Sequence, residues 1–167
     1  MTIVIRRLTN DEGALYRAIR LEALTVSADF FASAYEDEAG HDDAWFAAHM
    51  AGAPVWAAFD GDTPIGMAGC NRHLGTKKAH KATLWGMYVA PSARGQGVAE
   101  GLIQSILAHA AEVGCEQVLL TCMRGNDRAV RLYERMGFVQ YGVEPNALKA
   151  GEGRYFDDIQ MVKLLAA

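Results

Sequence analysis

The chain has 167 residues, of which 51% are hydrophobic, and its formal net charge is −4 at pH 7. This length predicts one domain over residues 1–167, with enough apolar side chains for a sizeable core. The acidic balance gives no indication of a nucleic-acid partner, and no stretch approaches the roughly 18 consecutive apolar residues of a membrane span.

The three cysteines, Cys70, Cys115 and Cys122, are odd in number and show no C-x-x-C spacing. Neither a disulfide framework nor a zinc site is therefore indicated, and we expect reduced thiols and no metal site. The N-terminal apolar residues differ from a signal peptide, because Arg6 and Arg7 interrupt them almost at once. These observations predict a cytoplasmic protein.

The first half of the chain predicts strands and helices in a hairpin-rich order. Thr9 and Glu12 have the spacing of a capping box, which predicts a helix start at Thr9 after a strand at residues 3–6. Residues 30–35 break the helical period and are predicted to form a loop. The other elements of this half are a helix at 41–50, strands at 54–59, 64–72 and 81–89, and a turn at 60–62.

The second half alternates helix and strand patterns. A helix at 95–113 carries apolar residues four positions apart, and Gly114 follows as a helix-ending residue. The elements after it are a strand at 117–122, a helix at 126–136, strands at 138–141 and 155–163, and a loop at 145–153. Hairpins followed by a β-α-β-α-β order predict a mixed sheet.

Residues 84–99 carry the most informative pattern. An apolar run stops before Pro91, and Arg94-Gly95-Gln96-Gly97-Val98-Ala99 then opens a helical pattern. Such a loop leaves backbone N–H groups free at one spot, and the helix dipole adds positive potential, which together suit a phosphate. A Walker A loop is excluded because no Lys-Ser or Lys-Thr follows the glycines, and Glu100 stands at the third glycine of a dinucleotide fingerprint. A glycine-containing helix start without a ligand is the alternative.

Two separate segments resemble the GNAT superfamily of N-acetyltransferases. Arg94-x-x-Gly97-x-Ala99 matches that family's pyrophosphate loop after its fourth strand, and the segment 126–138 is similar to its second signature. The resemblance covers nearly the whole chain. It implies an α/β fold, in which a mixed, splayed sheet of about six to seven strands is flanked by about four helices. The sheet would open between the strands that end near Val89 and Cys122.

The resemblance implies acetyl-CoA as co-substrate. Backbone N–H groups of the loop would hold the pyrophosphate, and the edge of the fourth strand would pair with the pantetheine arm and polarise the thioester carbonyl. The cofactor-binding residues implied in this way are Met87, Tyr88, Val89, Arg94, Gly95, Gln96, Gly97, Val98, Ala99, Asn126 and Tyr133.

Tyr133 and Asn126 each have a second interpretation. Tyr133 corresponds to the tyrosine that protonates the departing thiolate in many family members, but it could also be a helix tyrosine packed on Leu132 and Met136. Asn126 could hydrogen-bond the pantetheine, cap its helix, or do both.

The acceptor side is less well defined. Phe31, Tyr35 and Trp85 are expected to line the acceptor pocket, with ordinary core packing as the alternative. The candidates for a general base are Glu22, Glu36, His80, Asp157, Asp158 or a water held by one of them, and the sequence singles out none.

The implied function is transfer of an acetyl group to the primary amine of a small molecule or peptide, by direct attack in a ternary complex. A non-catalytic acyl-CoA-binding sensor is the alternative. Family members are often homodimers, so the resemblance also implies that state as an option.

Overall fold

One sheet of seven strands organises the computed structural model, which describes residues 1–166. The strands are β1 Ile3–Arg7, β2 Val55–Asp60, β3 Thr63–Arg72, β4 Lys81–Val89, β5 Gln117–Met123, β6 Val139–Ala150 and β7 Arg154–Leu164. The α-helices of the same residues are α1 Gly13–Val26, α2 Tyr35–Glu38, α3 Asp43–Gly52, α4 Val98–Glu112 and α5 Asp127–Arg135. All of these helices are too short or too polar to span a lipid bilayer.

The strand order is β1-β2-β3-β4-β5-β7-β6, with β4 and β5 parallel and the other neighbours antiparallel. Apolar side chains alternate along the strands and form one core on each face of the sheet. Helix α4 and the Tyr133 side chain of α5 belong to the first core, while α1 and α3 belong to the second. The predicted mixed α/β architecture is confirmed.

The sheet opens between its two parallel strands, as predicted. Strands β4 and β5 pair only from Lys81, opposite Gln117, to Thr83, opposite Leu119, although both continue beyond these residues. Strand β4 also contains an extra residue opposite β3, where Gly86 has a φ of +65°. A bulge of this kind bends its strand and increases its twist. The far half of β4 is therefore turned away from β5.

Helix α1 begins later than the capping-box pattern predicted. It starts at Gly13, because the Glu12 N–H bonds the Thr9 carbonyl at 3.0 Å and closes a turn ahead of the helix. The Glu12 carboxylate still accepts the Thr9 N–H at 2.7 Å, so half of the capping box is formed. Helix α4 likewise begins at Val98 rather than at residue 95, since Gly95 and Gly97 have positive φ angles of 76° and 79°.

The prediction of a loop at residues 145–153 is wrong for residues 145–150, which belong to a strand. Strand β6 continues to Ala150 through a register shift between Glu144 and Leu148. The backbone N–H of Asn146, at a φ of 50°, donates to Asp157 of β7 at 2.8 Å. Proline and a left-handed residue therefore mark a bulge in an edge strand here. The predicted loop at 30–35 also gives way to α2 at Tyr35.

The Glu12 carboxylate gives acid sensitivity to the fold. Two hydrogen bonds from Arg6, at 2.7 and 2.9 Å, and further bonds from Thr9 lower the pKa of Glu12 from 4.5 to about 2. This depressed pKa stabilises the fold above pH 4.5, and the contribution is lost as pH falls toward 2. Because the pair is partly exposed, we expect a loss of only about 1 kcal/mol in the free energy of unfolding.

Urea unfolding of the wild type and of Glu12→Gln at pH 6 and pH 3 measures this contribution. The difference in stability between the two proteins should shrink at the lower pH, because the Glu12 carboxylate of the unfolded wild type is protonated there and that of the folded protein is not. A difference that stays constant over this range would contradict the assignment.

Candidate active site

A cavity of about 370 Å³ lies at the N-terminus of α4, next to the edge of β4 that β5 leaves free. It is enclosed by the glycine loop, the end of β4, the start of α5 and the segment that follows α1. Of the residues predicted to bind the cofactor, those that line this cavity are Met87, Tyr88, Val89, Arg94, Gly95, Gly97, Val98, Ala99 and Asn126. We refer to this cavity as the cleft.

The glycine loop presents free backbone donors to the cleft. Within the described chain, the N–H groups from Gly95 to Ala99 form no hydrogen bond, and the first bond of the helix start joins the Gly101 N–H to the Gly97 carbonyl at 3.0 Å. Gly97 is the N-cap of α4 in the left-handed conformation, and a Cβ atom there would meet no atom of the described residues within 4 Å. Free donors at a helix N-terminus form a site for an anionic group such as a pyrophosphate.

Two loop side chains have structural partners of their own. Arg94 donates from Nε to the Val89 carbonyl at 3.3 Å, and its N–H bonds the Pro91 carbonyl at 3.4 Å. The Gln96 side chain donates to the Ser92 carbonyl at 3.2 Å and does not line the cleft. Both side chains therefore hold the loop in shape.

The two α5 residues differ in their positions. Asn126 lines the cleft, and its Oδ1 accepts the Ala129 N–H at 3.4 Å, so its capping role is realised. Tyr133 is 5% exposed, lies outside the cleft lining and packs edge-to-face on Phe138 at 5.8 Å. Burial, with a smaller effect of Cys122, raises the pKa of Tyr133 above its ordinary value of 10. Its hydroxyl therefore stays protonated, and its catalytic role stays a prediction.

A second cavity of about 740 Å³ lies between residues 28–36 and the end of the β6–β7 hairpin. Phe31 lines both this cavity and the cleft, and Tyr35 lines the second cavity alone. Trp85 lines neither, because its ring packs closely over Gly69 and its Nε1 donates to Asn71 at 3.2 Å. Two of the three predicted acceptor residues are therefore brought together. We refer to this second space as the side cavity.

The structure separates the candidate bases. His80 precedes β4 at the end opposite to the glycine loop, where its carbonyl accepts the Glu116 N–H at 2.7 Å. Asp157 is occupied by the Asn146 N–H and by an ion pair with Arg124 at 3.4 Å. His80 therefore lies at the wrong end of β4 and the Asp157 carboxylate is already bonded, so neither residue is placed for proton abstraction beside the cleft.

Three carboxylates stay open as bases. Glu36 lines the side cavity. Glu22 accepts the hydroxyl of Tyr88 at 3.1 Å, and burial together with this carboxylate raises the pKa of Tyr88 to about 12. Asp158 is half-buried, and burial together with Glu144 raises the pKa of its carboxyl.

Two features of the site were missed by the sequence analysis. Gly86 forms the β4 bulge, and a glycine inside a strand pattern was the available signal. Arg20 is a buried charge on the apolar face of α1, one turn after the buried Tyr16. Its position on the apolar face of the helix pattern could have identified it.

The comparisons with known proteins agree with this geometry. A model of the acetyltransferase (GNAT) family matches residues 20–138. The peptidyl-lysine N-acetyltransferase YjaB of Salmonella typhimurium is 28% identical over 140 residues, which cover 83% of this chain and 84% of that protein. A mycothiol acetyltransferase of Geodermatophilus obscurus is 33% identical over 94 residues, which cover 55% of this chain but only 30% of that protein.

Solved structures share the fold at low identity. A GNAT-family acetyltransferase from Streptococcus pneumoniae superposes with a TM-score of 0.84 at 21% identity, covering 98% of this chain and all of that one. The putative acetyltransferase yncA from Salmonella typhimurium, solved with its cofactor acetyl-CoA, has a TM-score of 0.79 at 19% identity and covers 100% and 96% of the two chains. The chain belongs to the GNAT acetyltransferase family, and it is an acyltransferase by class.

Proposed function

We propose that this protein transfers the acetyl group of acetyl-CoA to a primary amine by direct attack in a ternary complex. The observation that carries the proposal is the set of free N–H groups from Gly95 to Ala99 at the mouth of the cleft. These donors suit the pyrophosphate of CoA. The cleft then leads along Val89 and Met87 of β4, a path suited to the pantetheine arm and the thioester.

The free edge of β4 supplies the electrostatic part of the reaction. From Leu84 onward the strand has no hydrogen-bonded partner on its β5 side among residues 1–166, so backbone N–H groups there can donate to a thioester oxygen. Attack by the neutral amine forms the C–N bond and places negative charge on that oxygen, which such donors stabilise. Collapse of the intermediate breaks the C–S bond and releases the CoA thiolate.

Two proton transfers complete the proposed reaction. The attacking nitrogen loses a proton to a carboxylate or water, for which Glu22, Glu36 and Asp158 are the open candidates. The thiolate takes a proton from Tyr133, whose raised pKa keeps the hydroxyl protonated at neutral pH.

The acceptor amine is proposed to enter through the side cavity. Phe31 lines both spaces, so an amine in the side cavity and a thioester in the cleft would meet beside this side chain. Among the relatives, YjaB is named as a peptidyl-lysine acetyltransferase, and a Bos taurus relative acts on thialysine, so the acceptor can be a small molecule or a peptide.

The melting temperature with and without acetyl-CoA tests the cofactor, with ATP as an anion control. At 100 times its dissociation constant, acetyl-CoA should stabilise the fold by about 2.7 kcal/mol, which raises the melting temperature by about 5–10 °C. An equal shift with ATP, or no shift, would contradict the cofactor assignment. Release of free thiol in the presence of an amine then separates the transferase from a non-catalytic acyl-CoA sensor.

A further inference from the structure

The guanidinium of Arg20 lies beside Phe31, which lines both the cleft and the side cavity, although Arg20 itself lines neither. Its Cζ atom is 5.5 Å from the ring centre of Phe31, which lines both spaces, and 5.8 Å from that of Trp85. A Cβ atom at Gly86 would be 3.4 Å from Arg20 Nη1, so this nitrogen faces the β4 bulge next to the cleft residue Met87. Among the described residues, Arg20 is the one charged residue classed as buried, at 6% exposure.

Two of the three guanidinium nitrogens of Arg20 have hydrogen-bond partners. Arg20 Nε donates to Glu38 Oε2 at 2.8 Å, and Nη2 donates to Glu38 Oε1 at 3.0 Å, which is a bidentate pair. Nη1 has no hydrogen-bond partner within residues 1–166. No fully inaccessible side-chain nitrogen or oxygen of those residues lacks a partner, so Nη1 must reach accessible space.

We infer that Arg20 Nη1 binds a carbonyl or carboxylate oxygen carried by the acceptor next to its reacting amine. The inference rests on the proposed function and specifies its substrate class, namely amino acids or peptides rather than simple alkylamines. The Glu38 pair fixes the guanidinium plane and two aromatic rings lie near it, so the remaining donor is held in place before the substrate arrives. A site built to donate to a substrate oxygen discriminates strongly against analogues that lack it.

The geometry also explains why a donor on this side chain can act on the acceptor. The Gly86 bulge turns β4 away from β5 at the point where the thioester is proposed to lie, and Nη1 faces that bulge from the α1 side of the sheet. An oxygen bound to Nη1 would fix the amine beside the thioester carbonyl. Since Glu38 balances the charge of Arg20, both a neutral amide oxygen and a carboxylate fit this donor.

Matched acceptor sets test the inference on the wild-type protein. The sets are built on phenylalanine, methionine and lysine, each as the free amino acid, its amide and the amine that lacks the carboxyl carbon. We expect kcat/KM to be at least about ten-fold higher for members that carry the oxygen. The amide and amino-acid arms separate a carbonyl from a carboxylate ligand. Equal or better use of the simple amines would overturn the inference. If none of the amines causes thiol release, the proposed function is contradicted instead.

Variants then assign the preference to Arg20. Arg20→Lys keeps a cation for Glu38 but loses the planar fork, and the ratio of kcat/KM between oxygen-bearing and simple amines should fall toward 1. Arg17→Lys on the same helix is the matched control and should keep the wild-type ratio, since Arg17 donates to the Ala39 and His41 carbonyls and lines neither cavity. If Arg20→Lys does not bind acetyl-CoA, the charge-free pair Arg20→Met with Glu38→Gln replaces it. A ratio that survives in the folded variant overturns the assignment.

Discussion

Gly97→Val is expected to abolish acetyl-CoA binding while the protein still folds. Gly97 stands in the left-handed conformation at a φ of 79°, and its Cβ position opens into space beside the free loop donors. A valine side chain there would occupy the place proposed for the pyrophosphate. Loss of two charge-assisted hydrogen bonds, at about 1.5–3 kcal/mol each, lowers the affinity by at least about 100-fold.

The cost to the fold is much smaller. A non-glycine residue with positive φ is strained by about 1–3 kcal/mol, and no neighbouring atom of the described chain would be displaced by the Cβ atom. Isothermal titration with acetyl-CoA and a thermal melt measure the two effects separately.

Gly114→Val is the matched control for this experiment. Gly114 has a similar φ of 84° and, in the part of the chain that the structure describes, no atom within 4 Å of its Cβ position, but it lies after the C-terminal end of α4 and outside the cleft. It should lose similar stability and keep its affinity for acetyl-CoA. Unchanged affinity in Gly97→Val would refute the loop as the pyrophosphate site.

Tyr133→Phe is expected to lower kcat by about 100-fold or more and to change the dissociation constant of acetyl-CoA only slightly. The hydroxyl forms no hydrogen bond within residues 1–166, and the ring packs on Phe138 in the core. Phenylalanine preserves that packing, so the variant removes the dissociable proton and little else. General acid catalysis contributes about 10²–10⁴ to a rate.

Parallel measurements of kcat, acetyl-CoA affinity and melting temperature decide this case. Because the hydroxyl lacks a partner in the described chain, we expect a melting temperature close to that of the wild type. Tyr141→Phe, at a tyrosine that is exposed on β6, is the control and should keep full turnover. If Tyr133→Phe keeps the wild-type kcat, Tyr133 is not the general acid and its role is packing.

The order of elements and the opening between β4 and β5 could be predicted from the sequence. Local patterns predict the order of elements, because the glycine loop has a backbone requirement that few residues meet and the apolar period of α4 shows which side is buried, while the opening was implied by the family resemblance. Boundaries that depend on partners elsewhere could not be predicted in the same way. Helix α1 starts at Gly13 because Glu12 has partners outside the helix. Its carboxylate accepts hydrogen bonds from Arg6 and from the Thr9 N–H, and its own N–H donates to the Thr9 carbonyl.

The β6–β7 hairpin shows the same limit. Pro145 and Asn146 carry local signals for a loop, and the strand continues because Asp157 on β7 accepts the Asn146 N–H. That bond depends on a residue eleven positions away, which a local pattern does not include.

The sequence by itself determined the family and predicted the phosphate loop with its residues, because these features lie in short contiguous segments. Only the tertiary structure decided that Phe31 and Tyr35 share the side cavity, that Trp85 is held against Gly69, and that Arg20 is buried beside Phe31. Arg20 and Glu38 are 18 residues apart, and Trp85 comes from a third element of the chain. Their meeting is a result of packing α1 and the segment after it against β4, which long-range burial of apolar surface drives and no local pattern encodes.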